Sequence, residues 1–295
     1  MEGNDLKYEE PKIVAEIGCN HMGSFETAKE LILLAKQSGV GYVKFQKRCN
    51  KELLTEEQYN APHPVPDNSY GNTYGAHREF LEFDVDQHKK LKGYCEEIGI
   101  TYSTSVWDLT SAKEIASLNP EFIKIPSACN NHFEMLRYLR DHFDGQVQIS
   151  LGMTTPEEAE QIVNLFEETD SAKPKLMIYA CTSGYPVSAE ESCLLEITKL
   201  YDKFADRVNE IGFSGHHLGI SLDIAAYTLG AKWIERHFTK NRAWKGTDHA
   251  ASLEPQGLAK LSRDLSSVHV AMSLKDQDIL DIEKVQREKL KYRDR

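Results

Sequence analysis

The sequence predicts an α/β fold, a (β/α)8 TIM barrel, on three observations. Eight short β-rich runs alternate with longer amphipathic segments from end to end, which is the signature of repeated βα units on a parallel sheet. No Gly-x-Gly-x-x-Gly follows the first run, which disfavours an open, doubly wound dinucleotide-binding sheet. The length, 295 residues, suits one barrel of roughly 250 residues with extensions.

The expected strands are Lys12–Gly18, Tyr42–Lys47, Thr101–Val106, Phe122–Ser127, Val147–Leu151, Leu176–Cys181, Glu210–Ser214 and Trp233–Phe238. After the first, Phe25–Ser38 repeats Ala28, Leu31, Ile32 and Ala35 at helical spacing, and Gly39 marks its end. Asp84–Ile98 reads as a helix capped by Asp84 and stopped at Gly99. Pro156, Glu157 and Glu158 open another helix after Ser150-Leu151-Gly152-Met153-Thr154-Thr155. Two stretches stand outside this repeat. Residues 48–83 form a Pro-, Asn-, Gly- and Tyr-containing insertion after strand two, and a structureless stretch of that length is usually a functional loop. Residues 275–295 are densely charged and read as a solvated terminal helix or frayed tail, leaving 1–274 as the barrel domain.

With 40% hydrophobic and 27% charged residues the chain can bury a sizeable core. Its 35 Lys and Arg against 46 Asp and Glu give a net charge of −11, which argues against nucleic acid or an anionic membrane surface as a partner. An anionic substrate therefore requires a local basic pocket. The six scattered cysteines include no Cys-x-x-Cys pair, so reduced thiols are expected. The N-terminus, Met1 to Lys12, is polar and acidic with no leader-like apolar core, and no stretch approaches about 18 consecutive apolar residues. A cytoplasmic enzyme or binding protein is expected.

In such a barrel the chemistry lies at the C-terminal ends of the strands, and polar residues accumulate there. Lys44 and Gln46 flank Phe45 on one face of strand two. Lys44 and Lys124, with hydroxyls at the strand-three end Ser103-Thr104-Ser105 and at Ser127, Ser150 and Ser214, make a cage of cationic and neutral donors that suits a phosphate or phosphorylated carboxylate. A satisfied polar network within the barrel is the competing reading. His216 and His237 end neighbouring strands and can converge on one divalent cation, with Mn2+ favoured over structural zinc. His217 and His249 are read as lying behind that site or on the surface. Barrel closure makes neighbours of Glu16 and Glu235, which can move protons or orient hydroxyls, although Glu16 can also simply brace Lys44.

Taken together, these residues resemble the sialic acid synthase family, the phosphoenolpyruvate-dependent synthases of nine-carbon acidic sugars. The resemblance runs through eight segments in order: Ala15–Gly23, Lys44–Lys47, Thr73–Phe83, Lys124–Ser127, Ser150–Met153, Cys181–Pro186, Gly212–His217 and Glu235–Pro255. It implies condensation of phosphoenolpyruvate with an N-acetylmannosamine-like aldehyde or its 6-phosphate. The products are a nonulosonic acid and inorganic phosphate. It further implies that Lys44, Thr104, Lys124, Ser127, Ser150, Ser183 and Ser214 hold phosphoenolpyruvate. His216 and His237 would bind the cation, Mn2+ ahead of Mg2+ or Co2+. Glu16, Gln46, Tyr185, Glu235 and Asp248 would contact the sugar, with Glu16 handling protons. Cys129 and Gly215 stand where many members carry Asp, and the sequence stops at Arg295 where members continue into a small antifreeze-like domain, whose acceptor-binding arginine has no counterpart assigned here. The insertion, with Tyr70, Tyr74, His77 and Arg78, is the expected lid over the acceptor, or else a contact in a homodimer. A metal-dependent sugar isomerase or aldolase, and a non-catalytic acidic-sugar-binding barrel, are the rival functions on the same fold.

Overall fold

The computed structural model describes residues 8–168 and 175–292. Eight parallel strands close in sequence order: β1 (Lys12–Gly18), β2 (Tyr42–Lys47), β3 (Thr101–Val106), β4 (Phe122–Ile125), β5 (Gln146–Ser150), β6 (Leu176–Cys181), β7 (Glu210–Gly215) and β8 (Trp233–His237). Closure pairs β1 with β8, setting Glu16 opposite His237 and Val14 opposite Glu235. The strand expected to reach Ser127 stops at Ile125, because Pro126 has no N–H to continue the ladder and Ser127–Cys129 turns into a 3-10 helix.

The helices follow from their ends and faces. Phe25–Gln37 buries Ala28, Leu31, Ile32 and Ala35, and the Ser24 side chain accepts from the Thr27 N–H. Asp84 and Gln87 form a capping box at the start of Val85–Ile98, and Gly99 ends that helix in the left-handed region at φ 72°. Thr155 and Glu158 do the same for Pro156–Glu167, with Pro156 in the first turn. Inside the barrel, a layer of Val14, Phe122, Met177, Tyr179 and Trp233, with Tyr42 against it, fills the end remote from the polar strand termini.

The 48–83 insertion is not structureless. It holds helices Asn50–Leu53, Glu56–Asn60 and Tyr74–Leu81 and a 3-10 turn at Pro66–Asn68. Thr55 and Gln58 form a capping box, and Thr73 accepts from the Ala76 N–H. Gly75 is required there, since a Cβ would lie 2.1 Å from the Tyr59 ring. Arg48 and Glu82 pair at the base of the insertion, and the Tyr70 hydroxyl donates to the Lys245 carbonyl at 2.5 Å across the barrel mouth. Beyond the barrel, Asp281–Leu290 is a helix with no buried residue. Residues 1–7 and 293–295, the outer ends of the segments read above as a leaderless N-terminus and a charged tail, lie outside the described residues. Among the described residues no helix is long and apolar enough to cross a membrane.

Two buried histidines behind β2 tie stability to pH. Burial holds His21 and His88 at about 3, well below the ordinary 6.5. Below pH 6.5 the unfolded chain therefore takes up protons that the fold refuses. Their contribution is complete above 6.5 and is lost as pH falls towards 3, by about 1.4 kcal/mol per pH unit for each group. His88 Nδ1 bonds the Tyr102 hydroxyl at 2.7 Å, a contact that His88→Asn can imitate. Urea midpoints between pH 7 and 4.5 should fall less steeply in that variant than in the native chain. Equal slopes would mean that His88 titrates normally in the fold.

Candidate active site

A cavity of about 720 Å³ opens at the C-terminal ends of the strands, lined by polar residues from inward-facing strand positions and from the loops that follow them. At its floor, the Lys44 ammonium is paired with Glu16 Oε2 and donates to Ser105 Oγ at 2.5 Å. Lys124 Nζ lies 3.0 Å from Glu235 Oε2 and 3.3 Å from the centre of the Tyr179 ring. Glu235 Oε2 also stands 3.9 Å from Lys44 Nζ, while its Oε1 accepts from Ser214 at 3.1 Å. Two cations and two carboxylates thus share one buried chain of contacts, with Gln46 Nε2 donating to Glu16 Oε1 at 3.3 Å.

The two carboxylates are driven apart in acidity. Burial raises the Glu16 carboxyl above the usual carboxylate range, with Lys44 opposing it. Burial also acts on Glu235, but Lys124 and then Lys44 outweigh it and hold that carboxyl well below the ordinary value. One group is thereby fitted to carry a proton and the other to remain an anion. At Gly152 two serine hydroxyls close on the bare backbone, leaving no room for a side chain. A Cβ there would lie 2.5 Å from Ser183 Oγ and 2.7 Å from Ser127 Oγ, and the Gly152 N–H donates to Ser127 Oγ at 3.0 Å. Hydroxyls lining one cavity with two ammonium groups suit an oxyanion of phosphate size.

At the β7 and β8 ends, the rings of His216 and His237 are 5.4 Å apart, and Tyr185 lies 4.3 Å from His216. His216 Nδ1 bonds the Thr182 carbonyl at 2.9 Å, which turns Nε2 away from that carbonyl as the remaining donor atom. Burial, then His237, lowers its pKa to about 4, so the imidazole is neutral at pH 7 as a metal ligand must be. His237 Nδ1 is buried with no hydrogen-bond partner and stands 3.9 Å from Asp248 Oδ2. Among the described residues no group of three or more His, Cys, Asp and Glu gathers as a metal cage. The donor set fits an open site, in which two imidazoles hold a divalent cation and oxygen ligands complete the shell. It does not fit a closed structural zinc.

Of the residues singled out from the sequence, Glu16, Lys44, Gln46, Arg78, Lys124, Ser127, Ser150, Ser183, Tyr185, Ser214, His216, Glu235, His237 and Asp248 all line this cavity. Thr104 does not, and its assignment is corrected. In register Lys44 pairs with Ser103 and Gln46 with Ser105, so those serines face inward while Thr104 faces outward and bonds the Tyr102 hydroxyl at 2.5 Å. Ser105 occupies the place given to Thr104. His217 and His249 are both buried rather than on the surface. The first accepts from Arg236 Nη1 at 3.0 Å and the second meets Thr239 Oγ1 at 2.7 Å. Sequence reasoning passed over Arg48 and Trp107, which also line the cavity. Each lies just past a strand end, and that position was the available signal.

Comparison with known proteins points to one family. The model of the NeuB family matches residues 31–277. The chain is 38% identical to the N-acetylneuraminate-9-phosphate synthase of Mus musculus, over 94% of this chain and 76% of that protein. It is 31% identical to the N,N'-diacetyllegionaminic acid synthase of Campylobacter jejuni, over 88% of this chain and 77% of that protein. The fold is shared with the N-acetylneuraminic acid synthetase of Leptospira borgpetersenii, solved in complex with citrate. The TM-score is 0.80 at 24% identity, covering 97% of this chain and 94% of that one.

Proposed function

Because the chain belongs to the NeuB family, we propose that it condenses phosphoenolpyruvate with the open-chain aldehyde of an N-acetylmannosamine-like amino sugar, or its 6-phosphate, to give a nonulosonic acid and inorganic phosphate. The observation that carries this reading is the floor of the cavity. Lys44 and Lys124, both buried, stand beside hydroxyl groups in a protein whose net charge of −11 would otherwise repel an anionic donor.

Lys44, Lys124 and the hydroxyls of Ser105, Ser127, Ser150, Ser183 and Ser214 hold the phosphate and carboxylate of phosphoenolpyruvate, fixing C3 beneath the aldehyde carbon. His216 and His237 would hold a divalent cation, Mn2+ because oxygen ligands are left to complete an octahedral shell, and when bound it would polarise the aldehyde oxygen as a Lewis acid. Asp248 steadies His237, and Gln46, Glu235 and Tyr185 border the space left for the sugar. As C3 bonds to the aldehyde carbon, Glu16 delivers a proton to the oxygen that becomes a hydroxyl. Water then adds at C2, returning a proton to Glu16, and the tetrahedral adduct collapses to the C2 ketone, the C2–O bond breaking and phosphate leaving with the hydroxyl proton.

The test is phosphate release from phosphoenolpyruvate labelled with 18O in the bridging position, supplied with Mn2+ and a panel of amino-sugar aldehydes. Release that requires the sugar, with label in the phosphate, is expected. An isomerase or aldolase would release none, and label in the sugar product would mean P–O cleavage.

A further inference from the structure

A buried ion pair stands behind the two imidazoles, outside the cavity. Arg236 lies between Glu235 and His237 on β8, and the alternation of the strand turns it away from the interior that those two residues face. It is 1% exposed, and its partner Asp223 is wholly buried. Arg236 Nη1 donates to Asp223 Oδ2 at 2.5 Å, to the Gly219 carbonyl at 2.8 Å and to His217 Nε2 at 3.0 Å. Its Nη2 donates to the His217 carbonyl at 2.5 Å. All of these contacts fall on the stretch that leaves β7 just after His216, or on the helix Ser221–Thr228 that follows it.

The backbone ladder does not join the two imidazoles. Pairing of β7 with β8 ends at Gly215 opposite Arg236, one residue short of both rings. Past that point the chain at His216 turns to its other side, where the Val187 N–H donates to the His216 carbonyl at 3.0 Å and His217 bridges Val187. His237 is paired with β1 instead, opposite Glu16. What ties one imidazole to the other is a guanidinium rooted one residue before His237 and closed on the carbonyl one residue after His216. A buried ion pair is often no more stabilising than apolar side chains of the same volume, so stability does not account for it. A planar fork of N–H donors does fix directions that apolar contacts leave loose.

We propose that Arg236, itself held by Asp223, is a positioning residue that fixes the spacing and aim of His216 and His237 and thereby sets the affinity of the site for its divalent cation. It acts through the two imidazoles and does not line the cavity. This rests on the two-histidine reading above.

The test is Mn2+ binding to the enzyme without substrates, followed by electron paramagnetic resonance. In the double variant Arg236→Met, Asp223→Leu both charges leave and most of the volume stays, so Tm should remain close to native. Its Mn2+ affinity should nonetheless fall by about 10- to 100-fold, while the KM for phosphoenolpyruvate, which is held at the floor, stays near its native value. Arg236→Lys keeps a charge beside Asp223 but loses the fork that spans the two carbonyls. It should weaken Mn2+ binding by a smaller factor, several-fold, and it decides alone if the double variant does not fold. A purely structural pair would move Tm and leave the cation alone. Native Mn2+ affinity in the deciding variant, or a KM for phosphoenolpyruvate that rises as much as the Mn2+ dissociation constant, overturns the proposal. Native Mn2+ affinity in His216→Ala would overturn the two-histidine reading itself, and the proposal with it.

Discussion

His216→Ala and His237→Ala should each lower turnover by roughly three orders of magnitude, the several kcal/mol that a Lewis acid on the carbonyl supplies. The two imidazoles end adjacent strands with ring centres 5.4 Å apart, and neither is held in a way the fold depends on. His216 gives up one bond to a carbonyl, and His237 Nδ1 has no hydrogen-bond partner to lose. Unchanged circular dichroism should therefore accompany the loss. Titration with Mn2+, followed by electron paramagnetic resonance, should show binding weakened by at least about tenfold in either variant. Native affinity or native turnover in either would sink the two-histidine assignment.

Lys124→Ala should cut kcat/KM for phosphoenolpyruvate by about 30- to 1000-fold, the 2–4 kcal/mol expected for a buried charge-assisted contact. The acceptor KM should move far less. Removing the lysine also strips Glu235 of its nearest cation, leaving Lys44 at 3.9 Å and the Ser214 hydroxyl as its remaining contacts. An uncompensated buried carboxylate destabilises the fold, so Tm should fall with activity. The double variant Lys124→Met, Glu235→Gln separates the two effects. It removes both charges while keeping most of the volume, and should recover stability without recovering affinity for phosphoenolpyruvate. Equal damage to both substrates' KM in Lys124→Ala would mark the lysine as structural.

The barrel was legible because its period is short and its punctuation strong. Alternation in Tyr42–Lys47 put Lys44 and Gln46 on one face, and Asp84, Gly99 and Pro156 mark helix ends by mechanisms that act within a few residues. The error at Thr104 has the same origin. Hydroxyls at Ser103, Thr104 and Ser105 look alike in sequence, and only the pairing of Gln46 with Ser105 shows which of them face inward. The insertion was misread for a different reason. Its helices are four, five and eight residues long, too short for an apolar period to emerge, and they are held by capping threonines and a glycine pressed against Tyr59. The burial of His217 depends on Arg236 and Asp223, partners separated from it by intervening chain. Trp107 carries no motif; it lines the cavity beside Arg78, which comes from a separate element.

The aromatic layer of Phe122, Tyr179 and Trp233 makes the barrel a blind alley, so traffic must queue at one doorway. Lys44 and Lys124 stand at its inner end, Lys124 directly on the face of Tyr179, and Arg78 with the insertion stands at the entrance. On the proposed roles, phosphoenolpyruvate should be first in, because a sugar already seated would bar its way. Phosphate, formed at the inner end, should be last out, behind the departing nine-carbon acid. An abundance of acceptor should then act as a brake as well as a supply, plugging the passage of enzyme molecules that have not yet been loaded.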